Sequence, residues 1–169
     1  MRSRLPLVLL SLLPIALLAA PHPKATKAGA SAHVMVDAAT LDWGPAPPGL
    51  PAGAQAAVLS GDPGKPGMFV LRLKAPAGYR VPRHWHPTDE HVTVLEGDFH
   101  LDMGTATDTH AHDFAAGGYA VLPAKMQHAA LTNGGAIVQV SGMGPFAIHY
   151  VDPKDDPRNA KASDASKQP

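Results

Sequence analysis

Between Val34 and Val151 the apolar residues recur at every second position. In "MFVLRLK", Phe69, Leu71 and Leu73 share one face while Arg72 and Lys74 take the other. In "DFHLDM", Phe99, Leu101 and Met103 stand opposite Asp98, His100 and Asp102, and "PFAIHYV" groups Phe146, Ile148 and Tyr150. A period of two is the mark of a strand with one face against a core. Shorter strands fit "AAVLSG", "HVTVLEG", "YAVLP", "HAALT" and "AIVQVSG". Gly and Pro punctuate these runs at intervals of roughly ten residues, the rhythm of a sandwich or small barrel. No segment carries the pattern of a long amphipathic helix. In "WGPAPPGLPAG", Pro45, Pro47, Pro48 and Pro51 lack the amide donor that a helix or central strand needs. This stretch reads as an extended arm laid across the barrel, with Trp43 as its anchor.

Both ends fall outside the pattern. "MRSRLPLVLLSLLPIALLAAPHP" sets Arg2 and Arg4 before an apolar run from Leu5 to Ala20, the layout of a secretory signal peptide over residues 1–20. The run holds Pro6 and Pro14 and falls short of the ~20 apolar residues of a spanning helix, so no stable membrane anchor is expected. Cleavage falls somewhere between residues 19 and 30. Residues 21–33 are small and polar, a flexible leader, and residues 152–169 read as a disordered tail. The folded body is then residues 34–151, in a protein that is periplasmic or secreted.

Charge narrows the partners. Lys plus Arg and Asp plus Glu both number 14, which gives no electrostatic reason to expect nucleic acid. Cysteine is absent, so disulfides, thiolate metal sites and thiol nucleophiles are excluded. Histidine, at 10, is abundant for a chain of 169 residues and holds the chemistry.

In "GYRVPRHWHPTDEHVTVLEG", His84 and His86 stand two apart on a strand, so both project the same way, about 6–7 Å apart along the backbone. Glu90 shares parity with Val92 and Val94, which turns a carboxylate toward the apolar side. A divalent cation gives such a carboxylate a partner and uses the imidazole lone pairs. His91 has the opposite parity and should point away.

These residues resemble the first motif of the cupin superfamily, G-x5-H-x-H-x3-E-x6-G, at Gly78, His84, His86, Glu90 and Gly97. "GGYAVLPAKMQHAALTN" resembles the second motif, G-x5-P-x-G-x2-H-x3-N, at Gly117, Pro123 and His128. Lys125 stands where the family usually has glycine, and Thr132 stands at the asparagine position, with Asn133 next to it. The resemblance covers residues 56–151. It implies an all-β fold, the double-stranded β-helix of the cupin jelly-roll barrel, with no long helix. It also implies that His84, His86, Glu90 and His128 bind one divalent transition metal. Three imidazoles and one carboxylate suit Fe, Mn, Co, Ni, Cu or Zn and disfavour Ca and Mg. Two open positions would remain for water, dioxygen or a chelating molecule.

Two functions follow. One is a metal-dependent enzyme, with a dioxygenase leading, acting on a small, anionic, oxygen-chelating substrate and using Glu90 as the catalytic carboxylate. The other is non-catalytic metal or small-molecule binding and sequestration. Zinc-dependent anti-sigma factors use a similar histidine–glutamate set but place a helical region where this chain has its signal peptide. Lys125, Gln127, Tyr79, Tyr119 and Gln139 are candidates for polar groups behind the metal or at the mouth. His110 and His112 read as part of a polar surface loop, His100 and His149 as outward strand residues, and Glu96 and Asp98 as solvated groups flanking a turn at Gly97. An open edge strand invites pairing of two copies as a homodimer.

Overall fold

Ten antiparallel strands account for most of residues 33–159, which are the residues described in this computed structural model. They are β1 (Gly44–Pro45), β2 (Gln55–Ser60), β3 (Gly67–Ala75), β4 (Arg80–Trp85), β5 (Glu90–Thr105), β6 (Asp108–Ala115), β7 (Tyr119–Leu122), β8 (His128–Leu131), β9 (Ala136–Gly144) and β10 (His149–Tyr150). The segment read as a signal peptide and most of the expected leader lie outside the described residues.

Hydrogen-bonded neighbours run β1-β2-β3-β9-β5-β8-β4-β10, with β6 and β7 also on β5. The strand β5 makes this a barrel. Its first half pairs with β9 and β7, and its second half pairs with β6 and β8. One strand thus belongs to two sheets, and the two sheets close over a shared interior. "HVTVLEG" and "DFHLDM" are therefore one strand, not two strands with a turn between them. Gly97 marks the crossing. It sits at φ +80, and a side chain there would collide with the backbone at Gly135. Glycine lets the strand bend there while its pairing continues.

The alternation read from the sequence sets the core. Phe69, Leu71, Val92, Val94, Leu101, Leu122, Val138 and Val140 are buried together inside the barrel. Each large apolar side chain removed from water contributes about 1.5–3 kcal/mol against the entropy of ordering the chain.

Two further expectations change. "DTHAHDFA" is no loop: it is β6, which pairs along its length with the second half of β5. Exposure on nearly all sides hid it, because a strand without a buried face shows no alternation. The tail expected to be disordered from Asp152 keeps Asp152 to Asn159 folded onto the barrel. A 3-10 turn spans Pro153–Asp155, Asn159 donates to the Pro153 carbonyl, and Arg158 donates to the Ile148 carbonyl. Local pairing among charged residues does this, and polar composition does not reveal it. Among the described residues no helix is long and apolar enough to cross a membrane.

The proline-rich arm is as expected, with different anchors. Its β1 segment pairs with the edge of β2, where the missing amide of Pro45 does no harm. Tyr79 donates to the Pro51 carbonyl at 2.7 Å and Tyr150 to the Gly49 carbonyl at 2.8 Å. Trp43 is half-buried, with the Lys74 ammonium 5.9 Å from its ring centre.

Candidate metal centre

Strand alternation puts three imidazoles in the interior. In "RHW", His84 is buried while Arg83 and Trp85 lie on the other side of the sheet, and His86 follows with the inward parity. Residue His84 pairs in register with His128 at the start of β8, and Glu90 opens β5. His84, His86, Glu90 and His128 are 4%, 6%, 9% and 2% exposed. Four polar side chains this deeply buried need partners.

Each ring has one nitrogen occupied by a backbone carbonyl. Nδ1 of His84 meets Pro82 O at 2.7 Å, Nδ1 of His86 meets Ala147 O at 2.8 Å, and Nδ1 of His128 meets Met126 O at 3.1 Å. A carbonyl only accepts, so each Nδ1 donates and each Nε2 carries a lone pair. The ring nitrogens of the three histidines reach within 4.8 Å of one another. Glu90 Oε2 lies 3.5 Å from His86 Nε2 and 3.2 Å from His128 Nε2.

Acceptors facing each other at this range repel unless a proton or a cation lies among them. Ligands held about 2.1 Å from one ion, at octahedral or tetrahedral angles, stand about 3.0–3.4 Å apart. The His128 spacing to the carboxylate falls in that range, and the His86 spacing lies about 0.1 Å above it. The donor chemistry therefore fits a transition metal, and the carbonyl contacts are the outer-shell bonds that orient such ligands. Burial pushes the His84 imidazole down to about 3, with His128 and His86 adding to the shift, and it pushes His86 down too. Burial alone would raise the Glu90 carboxyl, but His128 and the neighbouring imidazoles outweigh it and hold it below its ordinary value. Neutral rings and an ionised carboxylate are the forms that bind a metal.

The group faces a cavity of about 330 Å³ whose walls are mostly apolar, among them Leu71, Val92, Leu101, Val140 and Phe146. The Phe146 ring stacks on His86, with centroids 4.1 Å apart and planes 15° apart, and fixes the imidazole from the side.

Of the five further polar candidates, only Tyr79 lines this cavity, and its hydroxyl is committed to Pro51. Lys125 and Gln127 line a separate, open surface recess. Tyr119 is exposed and bonds His91 Nδ1, which places His91 outside as its parity requires. Gln139 accepts from Arg72 along the strand pair β3–β9. His149 stacks on Trp85, His100 bonds Asp113, and His110 and His112 are exposed on β6.

Sequence reasoning did not point to Thr132, Phe146 or Arg158 as lining residues. Phe146 shares parity with Ile148 and Tyr150 in the sequence, but "PFAIHYV" is a strand only at His149–Tyr150, and Phe146 lies in the connection before it. Nothing in the polar tail signalled Arg158. Asp98 is also more than solvated, because it accepts from the amides of Asn133 and Gly134, both at 2.8 Å.

Comparison with known proteins adds a family. Residues 31–147 match the family described as the ChrR cupin-like domain. No curated protein sequence matches the chain. Among solved structures, the polyketide cyclase RemF from Streptomyces resistomycificus is similar at a TM-score of 0.59 and 16% identity, over 78% of this chain and 94% of that one. An RmlC-like cupin from Shewanella frigidimarina gives 0.53 at 18% identity, over 67% and 91%. KdgF from Halomonas sp. gives 0.51 at 15% identity, over 68% and 94%. At these identities the likeness concerns the fold.

Proposed function

The chain belongs to the ChrR cupin-like family, and from that premise we propose that it is an exported metalloprotein acting on a small, oxygen-chelating anion. His84, His86, Glu90 and His128 would hold one divalent transition metal ion. The observation that carries this is the convergence of three buried imidazoles, every Nδ1 already bonded to a carbonyl, with the Glu90 carboxylate beside His86 and His128. Export rests on the basic and apolar pattern of residues 1–20.

A bound ion would supply Lewis-acid or redox chemistry and, with one carboxylate against M²⁺, a site charge near +1. The protein's share is positional. The three carbonyl contacts fix the tautomer and aim each Nε2, while burial keeps His84 and His86 neutral. The apolar wall excludes water and strengthens electrostatic interactions inside. Glu90 lowers the charge of the site and sets how strongly it draws an anionic ligand. Oxygenation of the chelated molecule is the leading reaction type. Storage of metal or ligand without turnover is the alternative, and the same experiment separates the two.

The experiment is elemental analysis of the purified protein, followed by dioxygen uptake with diketones, quinols and hydroxyacids. His84→Ala combined with His128→Ala should lower metal affinity more than tenfold. His91→Ala, His100→Ala and His149→Ala should leave it unchanged. Glu90→Gln should lose turnover beyond its loss of metal. Full metal retention by the double variant would reject the ligand assignment. Tight metal binding with no turnover across the panel would favour sequestration.

A further inference from the structure

Among the described residues, Arg158 is the one lysine or arginine that lines the cavity, and the only charged lining residue besides Glu90. Its side chain is 45% exposed, whereas the histidines are buried, so it stands at the rim of the cavity. It is held in place. Nε donates to Asp156 Oδ1 and Nη2 to Asp156 Oδ2, both at 2.7 Å, and Nη2 also donates to the Ile148 carbonyl at 3.0 Å. Nη1 has no hydrogen-bond partner among the described residues. Its neighbour across the rim is Gly49, where a Cβ would fall 3.6 Å from Nη1 and 2.6 Å from Ile148 Cγ2. A side chain at Gly49 would crowd the space beside Nη1.

The same short segment orients both the histidine group and Arg158. The Ala147 carbonyl takes His86 Nδ1, and the Ile148 carbonyl takes Arg158 Nη2. Elsewhere the wall is mostly hydrocarbon. The Tyr79 hydroxyl is spent on Pro51, and Thr132 Oγ1 accepts from the Gly135 amide. A ligand rich in hydroxyls would lose hydrogen bonds on entering. A volume of about 330 Å³ stands at the small end of ligand sites.

We propose that Arg158 is the specificity-determining residue of this cavity, pairing through Nη1 with a carboxylate on an otherwise apolar ligand whose other end is chelated at the histidine–glutamate group. The ligand class is an amphipathic acid: an oxygen chelator, a hydrocarbon body and a terminal carboxylate. This rests on the metal-centred reading above. Asp156 already neutralises much of the guanidinium charge, so the carboxylate should add a factor of about two to five in affinity, the range of a partly exposed ion pair.

The test loads the full chain with nickel and measures binding by calorimetry. The probes are a graded series of ω-carboxyalkyl hydroxamates and their methyl esters, which share the chelating head and differ only at the far end. At one or more chain lengths the acid should bind about two- to fivefold tighter than its ester. Arg158→Gln should abolish that preference and leave ester affinity unchanged, and Arg158→Lys should restore part of it. Equal binding of acid and ester at every length overturns the proposal, as does an undiminished preference in Arg158→Gln. Failure to take up nickel, seen by elemental analysis, or failure of both probes on nickel-loaded protein, sinks the metal-centred reading and this inference with it. Loss of the acid preference alone leaves the metal-centred reading standing.

Discussion

Lys125 shows how one residue can carry a conformation unsuited to it. It sits at φ +66, in the left-handed region that glycine occupies without strain, and the related motif usually has glycine there. Its amide donates to the His86 carbonyl at 2.7 Å and ties the turn before His128 to the segment bearing His86. A side chain in this conformation costs about 1–2 kcal/mol, and the extra freedom of unfolded glycine returns about half of that. Lys125→Gly should therefore raise the unfolding free energy by about 0.5–1 kcal/mol, read from denaturant midpoints at unchanged slope. Because Lys125 lines the outer recess rather than the cavity, metal content should not change. A fall in stability would show that the lysine side chain contributes more than its backbone conformation costs.

Among the elements, β5 decides the architecture, and its crossing point is held by Asp98. The carboxylate accepts from the amides of Asn133 and Gly134 in the connection between β8 and β9, and so joins the strand to the loop that links the two sheets. Those two amides hold the Asp98 carboxyl below its ordinary value of 3.8. The sign follows from linkage. A carboxyl whose folded pKa is depressed adds stability that is fully present above 3.8 and disappears as pH falls through the lower folded value. Asp98→Ala should lower the melting temperature at neutral pH. The gap to wild type should narrow as pH falls below 3.8. A gap that stays constant into strong acid would mean that the aspartate acts through packing and not through its charge.

At the scale of the whole molecule, the arm and the barrel make one cavity. Pro47, Gly49 and Leu50 of the arm line it beside residues of both sheets. Two phenols hold the arm down, Tyr79 on Pro51 and Tyr150 on Gly49. Burial pushes the Tyr79 hydroxyl up to about 12 and raises Tyr150 as well, so both remain donors across the physiological range. Each such bond contributes about 1 kcal/mol. The double change Tyr79→Phe with Tyr150→Phe should speed amide exchange in residues 44–54 by about tenfold or more. The β3–β9 pairing should stay as protected as before. Equal loosening of arm and barrel would show that the arm is part of the barrel's cooperative unit.

The sequence by itself determined the period-two core, the all-β class and the inward parity of His84, His86 and Glu90. All three follow from one rule: side chains alternate across a strand, so parity fixes the face. The spacing of His128 became meaningful through its resemblance to a known motif, and the register of β4 against β8 then set it beside His84. Tertiary structure alone decided the rest. That "HVTVLEG" and "DFHLDM" form one strand depends on which partners lie on each side of Gly97, and those partners come from distant parts of the chain. That "DTHAHDFA" is a strand depends on pairing with β5, since it has no buried face to announce itself. Arg158 reaches the cavity because Ile148 and Asp156 hold it there. In a polar tail the hydrophobic pattern is silent, and only contacts between segments say which charged residues face a site.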